Sequence, residues 1–202
     1  MASPPRRDPP RLWFVCGPNG SGKSTLYDQG NIEGFGHSVW IINPDLLSQR
    51  IAEQEGLALG PANGEALNRI EGWLRASVRA YQTIGVETVL STPKYRPLVL
   101  EAKSLGFEIR LLYVVLRTAD MNVERVRLRV QRGGHDVAED KIRARRERSF
   151  QQLPWFMEQA DLALIYDNSG LEPQLVGQKR DGVIALDPRV PEPIRRALES
   201  HD

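Results

Sequence analysis

Cysteine is nearly absent from this chain of 202 residues: Cys16 stands alone. A single cysteine cannot close an internal disulfide, which excludes a disulfide-stapled scaffold and fits a reducing compartment. Placed at the end of an apolar run, it reads as a buried, inert thiol rather than a nucleophile. Long hydrophobic runs are also missing, and none approaches the ~20 residues of a membrane-spanning helix. The opening stretch over residues 1–10, Met1-Ala2-Ser3-Pro4-Pro5-Arg6-Arg7-Asp8-Pro9-Pro10, lacks the apolar core of a signal peptide. It reads as a disordered, proline-rich lead-in. A cytoplasmic protein without a membrane partner is therefore expected. Net charge is scarce too, at +1, so no global field favours nucleic acid, and no nucleic-acid partner is expected.

What is present is ordinary in bulk and particular in one place. Hydrophobic residues at 41% and charged residues at 26% suit a folded globule, and the length suits one α/β domain. The particular place is Gly17-Pro18-Asn19-Gly20-Ser21-Gly22-Lys23-Ser24-Thr25, which fits G-x-x-x-x-G-K-S/T, the phosphate-binding P-loop. It follows the strand-like run Leu12-Trp13-Phe14-Val15-Cys16 and precedes a helical stretch from Thr25 to Gln29. Glycines at 17, 20 and 22 let the backbone turn sharply and present N–H groups to an anion. Lys23 would reach the β- and γ-phosphates, and the Ser24 hydroxyl would hold Mg²⁺. Asn19, Ser21 and Thr25 complete the expected cofactor-binding loop, and the expected ligand is a nucleoside triphosphate.

The remainder alternates strand-like and helix-like segments. Strands are expected at 39–42, 86–91, 109–116 and 162–166, with a last edge strand at 183–186. Helices are expected at 46–55, from an Asn63 N-cap to about 83, in a short stretch ending at Gly106, at 119–131, at 136–150 and at 194–198. Gly85 reads as a helix stop, and Asp136 with Glu139 has the spacing of a capping box. The near-continuous apolar run at 109–116 fits a central parallel strand. The fold expected is a three-layer α/β P-loop NTPase or kinase, a mostly parallel sheet with helices on both faces and a helical lid. Residues 11–187 would form that domain, with the lid at about 125–150 and a C-terminal tail with a short helix at 188–202.

On such a sheet ligands bind beyond the carboxyl ends of the strands. Asp45 follows the second strand and would accept the proton of an attacking hydroxyl; as a plain helix N-cap it would do nothing chemical. The two roles are compatible. No Walker-B pattern of four apolar residues ending in Asp is well placed, which disfavours a motor or a switch and favours a small kinase. Arg125, Arg127, Arg129, Arg132, Lys141, Arg143, Arg145, Arg146 and Arg148 crowd two segments around Gly133-Gly134. Most such charges form solvated faces. A lid closing arginines over a triphosphate fits best, and nucleic-acid binding fits less well without a base-stacking pattern.

Together these residues resemble the zeta-toxin family of P-loop kinases. The resemblance is carried by the P-loop, Asn43-Pro44-Asp45, Glu87-Thr88-Val89-Leu90-Ser91, Arg129-Val130-Gln131-Arg132-Gly133-Gly134-His135-Asp136-Val137, Ile142-Arg143-Ala144-Arg145 with Arg148-Ser149, and Tyr166-Asp167-Asn168-Ser169. It implies that Lys23 and Ser24 bind ATP and Mg²⁺ and that Asp45 is the catalytic base. It implies two lid arginines on the ATP phosphates, Arg145 and either Arg129 or Arg132, with Asn168 nearby. Glu71 and Glu87 match acidic substrate-site positions, Thr88 lies beside them, and Ser91 falls near a substrate position after the third strand. The implied reaction is phosphorylation of a small-molecule hydroxyl, the 3′-hydroxyl of UDP-N-acetylglucosamine in studied members, and the implied partner is a cognate antitoxin. A nucleotide, antibiotic or other metabolite kinase on the same scaffold is the alternative enzyme, and a non-catalytic NTP-dependent regulatory module the alternative of another class.

Overall fold

In a computed structural model, which describes residues 8–28, 32 and 39–200, the apolar run before the glycine loop becomes β1 (Arg11–Cys16) at the middle of the sheet. β3 (Ile84–Thr88) and β4 (Glu108–Val115) pair with it in parallel on either side. β2 (Ile41–Ile42) adds in parallel to β3, and β5 (Leu162–Asp167) in parallel to β4. β6 (Gln174–Arg180) and β7 (Val183–Leu186) extend the sheet antiparallel, giving the order β2-β3-β1-β4-β5-β6-β7. Seven helices are described: α1 (Lys23–Asp28), α2 (Pro44–Glu55), α3 (Leu59–Arg79), α4 (Arg96–Ser104), α5 (Ala119–Gln131), α6 (Glu139–Gln159) and α7 (Glu192–Glu199).

The two-residue period of a strand sorts β1 and β4 onto two cores. Leu12, Phe14 and Cys16, with Ile109, Leu111, Tyr113 and Val115, meet Ile70 and Leu74 of α3, Val99 of α4, Phe156 of α6 and Ile194 of α7. Val15, Leu112 and Val114 face the other way, with Leu164 and with Leu26 of α1. Because both faces are covered, the central strands can be apolar throughout, each fully buried large side chain contributing about 1.5–3 kcal/mol. α7, in the stretch expected as a tail, buries Ile194 and Leu198 in the main core. Among the described residues no helix is long and apolar enough to cross a membrane.

Several local expectations are corrected. Gly85 is no helix stop but lies inside β3, where a Cβ would come within 2.3 Å of Ile41 Cδ1 and 2.9 Å of Trp13 Cβ. α3 begins at Leu59 after an Ala58 N-cap without a side-chain bond, so Asn63 caps nothing; Pro61 is tolerated because first-turn N–H groups lack helical partners anyway. Asp136 and Glu139 form no capping box, since α6 starts after Ala138 with no side-chain cap. That helix also runs past Phe150 to Gln159 through Pro154, since Leu153, Phe156 and Met157 lock its far half into the core. β6 was unreadable because its run, Gln-Leu-Val-Gly-Gln-Lys-Arg, is mostly polar; pairing with β5 and β7 makes it a strand, and the hairpin turns on Asp181 and Gly182, both with positive φ.

Gly85→Ala should lower unfolding free energy by about 1–3 kcal/mol through overpacking between β1 and β2. Urea denaturation checks this, and a midpoint equal to that of the wild type would refute the packing argument.

Candidate active site

The P-loop leaves the central strand and turns directly over its neighbours. Gly17, at φ +138°, passes so close to β4 that a Cβ would lie 2.0 Å from the Val114 carbonyl oxygen. Gly22, at φ +89°, leaves room for the Asn168 amide, which a Cβ would meet at 2.3 Å. Two side chains fasten the loop from outside: Asn122 Nδ2 donates to the Asn19 carbonyl at 2.7 Å, and Asn168 Nδ2 to the Ser21 carbonyl at 2.8 Å. Asn19 Oδ1 and Ser21 Oγ are buried without a partner among the described residues.

The Lys23 ammonium is folded back on the loop, donating to the Gly17 and Pro18 carbonyls at 3.0 and 3.2 Å. Glu87, near the carboxyl end of β3, stands 3.8 Å from it. One oxygen of that carboxylate accepts from Ser24 Oγ at 2.9 Å, Asn43 Nδ2 at 3.0 Å and the Tyr27 hydroxyl at 3.2 Å. Glu87 thus joins the P-loop to the start of α2. The true N-cap of α2 is Asn43, whose Oδ1 accepts from the backbone N–H groups of Asp45 and Leu46. Capping therefore does not consume the Asp45 carboxylate, which is exposed toward the cleft.

That cleft encloses about 340 Å³. Asn19, Gly20 and Lys23 bound it on the P-loop side; Asn43, Asp45 and Ser48 come from the start of α2, Asn63 and Leu67 from α3. Glu87, Thr88, Ser91, Lys94 and Tyr95 line it from the segment that runs out of β3. Arg129, His135, Val137 and Arg145 close it from α5, α6 and their connection.

Over residues 12–153, well over half of the chain, the sequence matches the family model described as AAA domain. The chain belongs to the AAA domain family. A protein of Haemophilus influenzae, named only as uncharacterized, is similar to this AAA domain chain at 29% identity over 134 residues, 65% of this chain and 89% of that protein. Among solved structures, a chain of the AvrRxo1-ORF1:-ORF2 complex with ATP superposes at a TM-score of 0.69 with 16% identity, covering 88% of this chain and 60% of that one. The structure from the PezAT chromosomal toxin–antitoxin system of Streptococcus pneumoniae superposes at 0.63 with 13% identity, covering 96% and 79%. At these identities the likeness is one of fold, a P-loop kinase-like α/β fold. The AAA domain chain spans about 60% of the length of the AvrRxo1-ORF1:-ORF2 chain that it matches.

Within this AAA domain, the residues expected at the site separate into two groups. Asn19, Gly20, Lys23, Asp45, Glu87, Thr88, Ser91, Arg129 and Arg145 meet in the cleft. Arg132 and Glu71 are not on its lining: Arg132 is the exposed C-cap of α5, and Glu71 is half-buried on α3. Of the two arginines left open by sequence, the cleft holds Arg129, whose guanidinium donates to the His135 carbonyl at 2.7 Å. Gly17, Ser21, Gly22 and Ser24 shape and brace the loop, Thr25 is exposed on α1, and Asn168 holds the Ser21 carbonyl. Burial pushes the Cys16 thiol far above its ordinary range, in keeping with an inert side chain.

Three residues with structural parts here were not legible in the sequence. Asn122, and Asn43 in its bond to Glu87, are single amides whose partners lie far along the chain. The third, Arg146, looked like one more basic residue of a solvated face. It is instead buried, donates to the Leu116 and Arg117 carbonyls at 3.0 and 3.1 Å, and lies 4.5 Å over the Phe150 ring. It thereby fastens α6 to the chain where β4 hands over to α5. Its spacing of four from Phe150 was the available signal.

Arg146→Met should cost about 2–3 kcal/mol, chiefly from stranding the buried Leu116 carbonyl and the part-buried Arg117 carbonyl. Thermal and urea unfolding measure it; a change below about 0.5 kcal/mol, the size of an ordinary surface substitution, would refute the anchoring role.

Proposed function

We propose that this chain is an ATP-dependent kinase that transfers the γ-phosphate of ATP to a hydroxyl of a small molecule. One observation carries the reading: a single cleft gathers a P-loop lysine, an uncapped aspartate across from it, and two arginines from the α5–α6 hairpin. The fold likeness to a toxin–antitoxin structure and to a complex with ATP supports it.

The loop fits a nucleotide's phosphates. Lys23 now spends its N–H donors on loop carbonyls and would exchange them for β- and γ-phosphate oxygens. Arg129 and Arg145 would neutralise charge on the transferring group as the hairpin acts as a lid. The acceptor oxygen attacks the γ-phosphorus, the bond from that phosphorus to the bridging oxygen of ADP breaks, and the acceptor's proton passes to the Asp45 carboxylate. Asp45 serves as base because the Asn43 cap leaves its oxygens free. Among the described residues no group of three or more His, Cys, Asp or Glu is placed to hold a metal alone. The Ser24 hydroxyl with the Glu87 carboxylate behind it is an oxygen set suited to Mg²⁺, a cation that takes most of its ligands from water and phosphate. Bound there, Mg²⁺ would supply charge neutralisation at the β- and γ-phosphates. Glu87 then belongs to the donor side, in the place a Walker-B carboxylate would take, and Thr88 and Ser91 to the acceptor side.

The zeta-toxin resemblance makes UDP-N-acetylglucosamine the first acceptor to test, and the toxin–antitoxin neighbour makes a small antitoxin protein the first partner to seek. Incubating the protein with Mg-ATP and either that sugar nucleotide or a pooled metabolite extract, then following masses, should reveal a product heavier by one phosphate. Asp45→Asn should slow its formation by about 10²–10⁴-fold while leaving ATP affinity within about threefold. Full transfer by Asp45→Asn would remove aspartate as the base.

A further inference from the structure

We propose that Asn122 is a positioning residue for phosphate binding. With Asn168 as its companion, it turns the P-loop peptides so that the Gly20 and Gly22 N–H groups face the phosphates of ATP. This rests on the kinase reading, which seats ATP at the loop, and adds the side chains that orient that loop.

A trans peptide is planar, with its C=O and N–H on opposite sides. Whatever holds the carbonyl of one residue therefore aims the N–H of the next. Asn122 Nδ2 donates to the Asn19 carbonyl at 2.7 Å, which turns the Gly20 N–H away from α5. Asn168 Nδ2 donates to the Ser21 carbonyl at 2.8 Å, which turns the Gly22 N–H away from the segment after β5. Neither asparagine is on the cleft lining, whereas Asn19, Gly20 and Lys23 are. The Ser21 N–H between the two glycines is spent inside the loop, on the Pro18 carbonyl at 3.2 Å. The Gly20 and Gly22 N–H groups have no acceptor among the described residues. They are the donors that an anion on the loop would take.

One helix sets both holds. Asn122 lies near the start of α5, and Arg125, three residues on, donates to the Asn168 carbonyl at 2.7 Å. Gly20, at φ +73°, lies flat against the same face. A Cβ there would stand 2.7 Å from the Asn122 carbonyl oxygen and 3.2 Å from Val126 Cγ2. Steps of three and four keep Asn122, Arg125, Val126 and Arg129 on one side of the helix. The helix that orients the loop therefore also brings Arg129 to the cleft. As a device for stability alone, Asn122 is a poor choice. It is fully buried, and its Oδ1 has no partner among the described residues. Leucine would suit both the helix and the burial better, and Val126 already packs α5 against the loop. Only the amide can hold a loop carbonyl.

The test titrates Mg-ATP, and separately tripolyphosphate, into the ¹⁵N-labelled protein and follows backbone amide shifts. Both should bind saturably, and Asn122→Leu should weaken both by about tenfold or more, as for the loss of one charge-assisted hydrogen bond. Asn122→Ala, in which nothing larger must fit, should show the same loss. The amides give a readout that a general loss of stability would not move. The Gly20 signal should shift strongly on binding in the wild type and little in Asn122→Leu, with the Gly22 shift retained. Asn168→Leu should reverse that pattern. Wild-type affinity in both Asn122 variants, or a Gly20 shift equal to that of the wild type, overturns the positioning role. A loss of affinity accompanied by collapse of amide dispersion across the whole protein in both variants also overturns it, leaving a purely structural asparagine. The kinase reading is separated by turnover with the metabolite extract. Product formed by Asn122→Leu at an unchanged ATP KM overturns the positioning role and keeps the kinase. Mg-ATP binding that depends on Asn122, without product from the wild type, overturns the kinase and keeps the positioning role. A wild type that binds neither Mg-ATP nor tripolyphosphate overturns both.

Discussion

One carboxylate ties the P-loop side of the cleft together. Glu87 accepts hydrogen bonds from Ser24, Tyr27 and Asn43 and faces Lys23, so one side chain joins the P-loop, α1 and the start of α2. Such a shielded carboxylate must be paired to be tolerated. Its donors satisfy that requirement, and in doing so they fix the loop relative to Asn43. Because Asn43 also caps α2, the position of Asp45 follows from the same charge.

That arrangement depends on strand order. β3 lies directly against β1 with Val15 opposite Glu87 and Cys16 opposite Thr88, which sets Glu87 beside the root of the P-loop. Gly85 permits the pairing by leaving room for Trp13 and Ile41. On the other flank β4 carries Val114 under Gly17, and the chain after it is held by Arg146 and by Asp167, which accepts from Arg117. The loop is thus seated between two strands whose packing, not the loop's own residues, determines what it can touch. The P-loop side of the cleft is therefore held by contacts between distant segments of the chain.

The fold was largely legible because its signals are local. The apolar run at β4, the stripe of Ile70, Leu74 and Val78 and the strand–loop–helix at the P-loop are each contained within one segment. The errors have physical causes. Asn63 and the Asp136–Glu139 pair look like caps, but cap geometry depends on where tertiary packing lets a helix begin. Pro154 and the polar β6 read as breaks, yet burial in one case and pairing on both sides in the other outweighed local preference. Arg132 and Arg129 are indistinguishable by composition, and only the turn of α5 relative to the cleft separates them.

By itself, then, the sequence determined that a triphosphate loop follows a buried strand in an α/β chain, because glycine spacing and hydrophobic period act within a few residues of one another. It also singled out Asp45, but could not say whether that carboxylate caps a helix or faces a ligand. Tertiary structure decided that Asn43 takes the cap, that Glu87 faces the P-loop and that Arg146 is an anchor. The Glu87 and Arg146 outcomes rest on contacts between groups 30 to 63 residues apart, and hydrogen bonds and desolvation act on separation in space, which no spacing along the chain encodes.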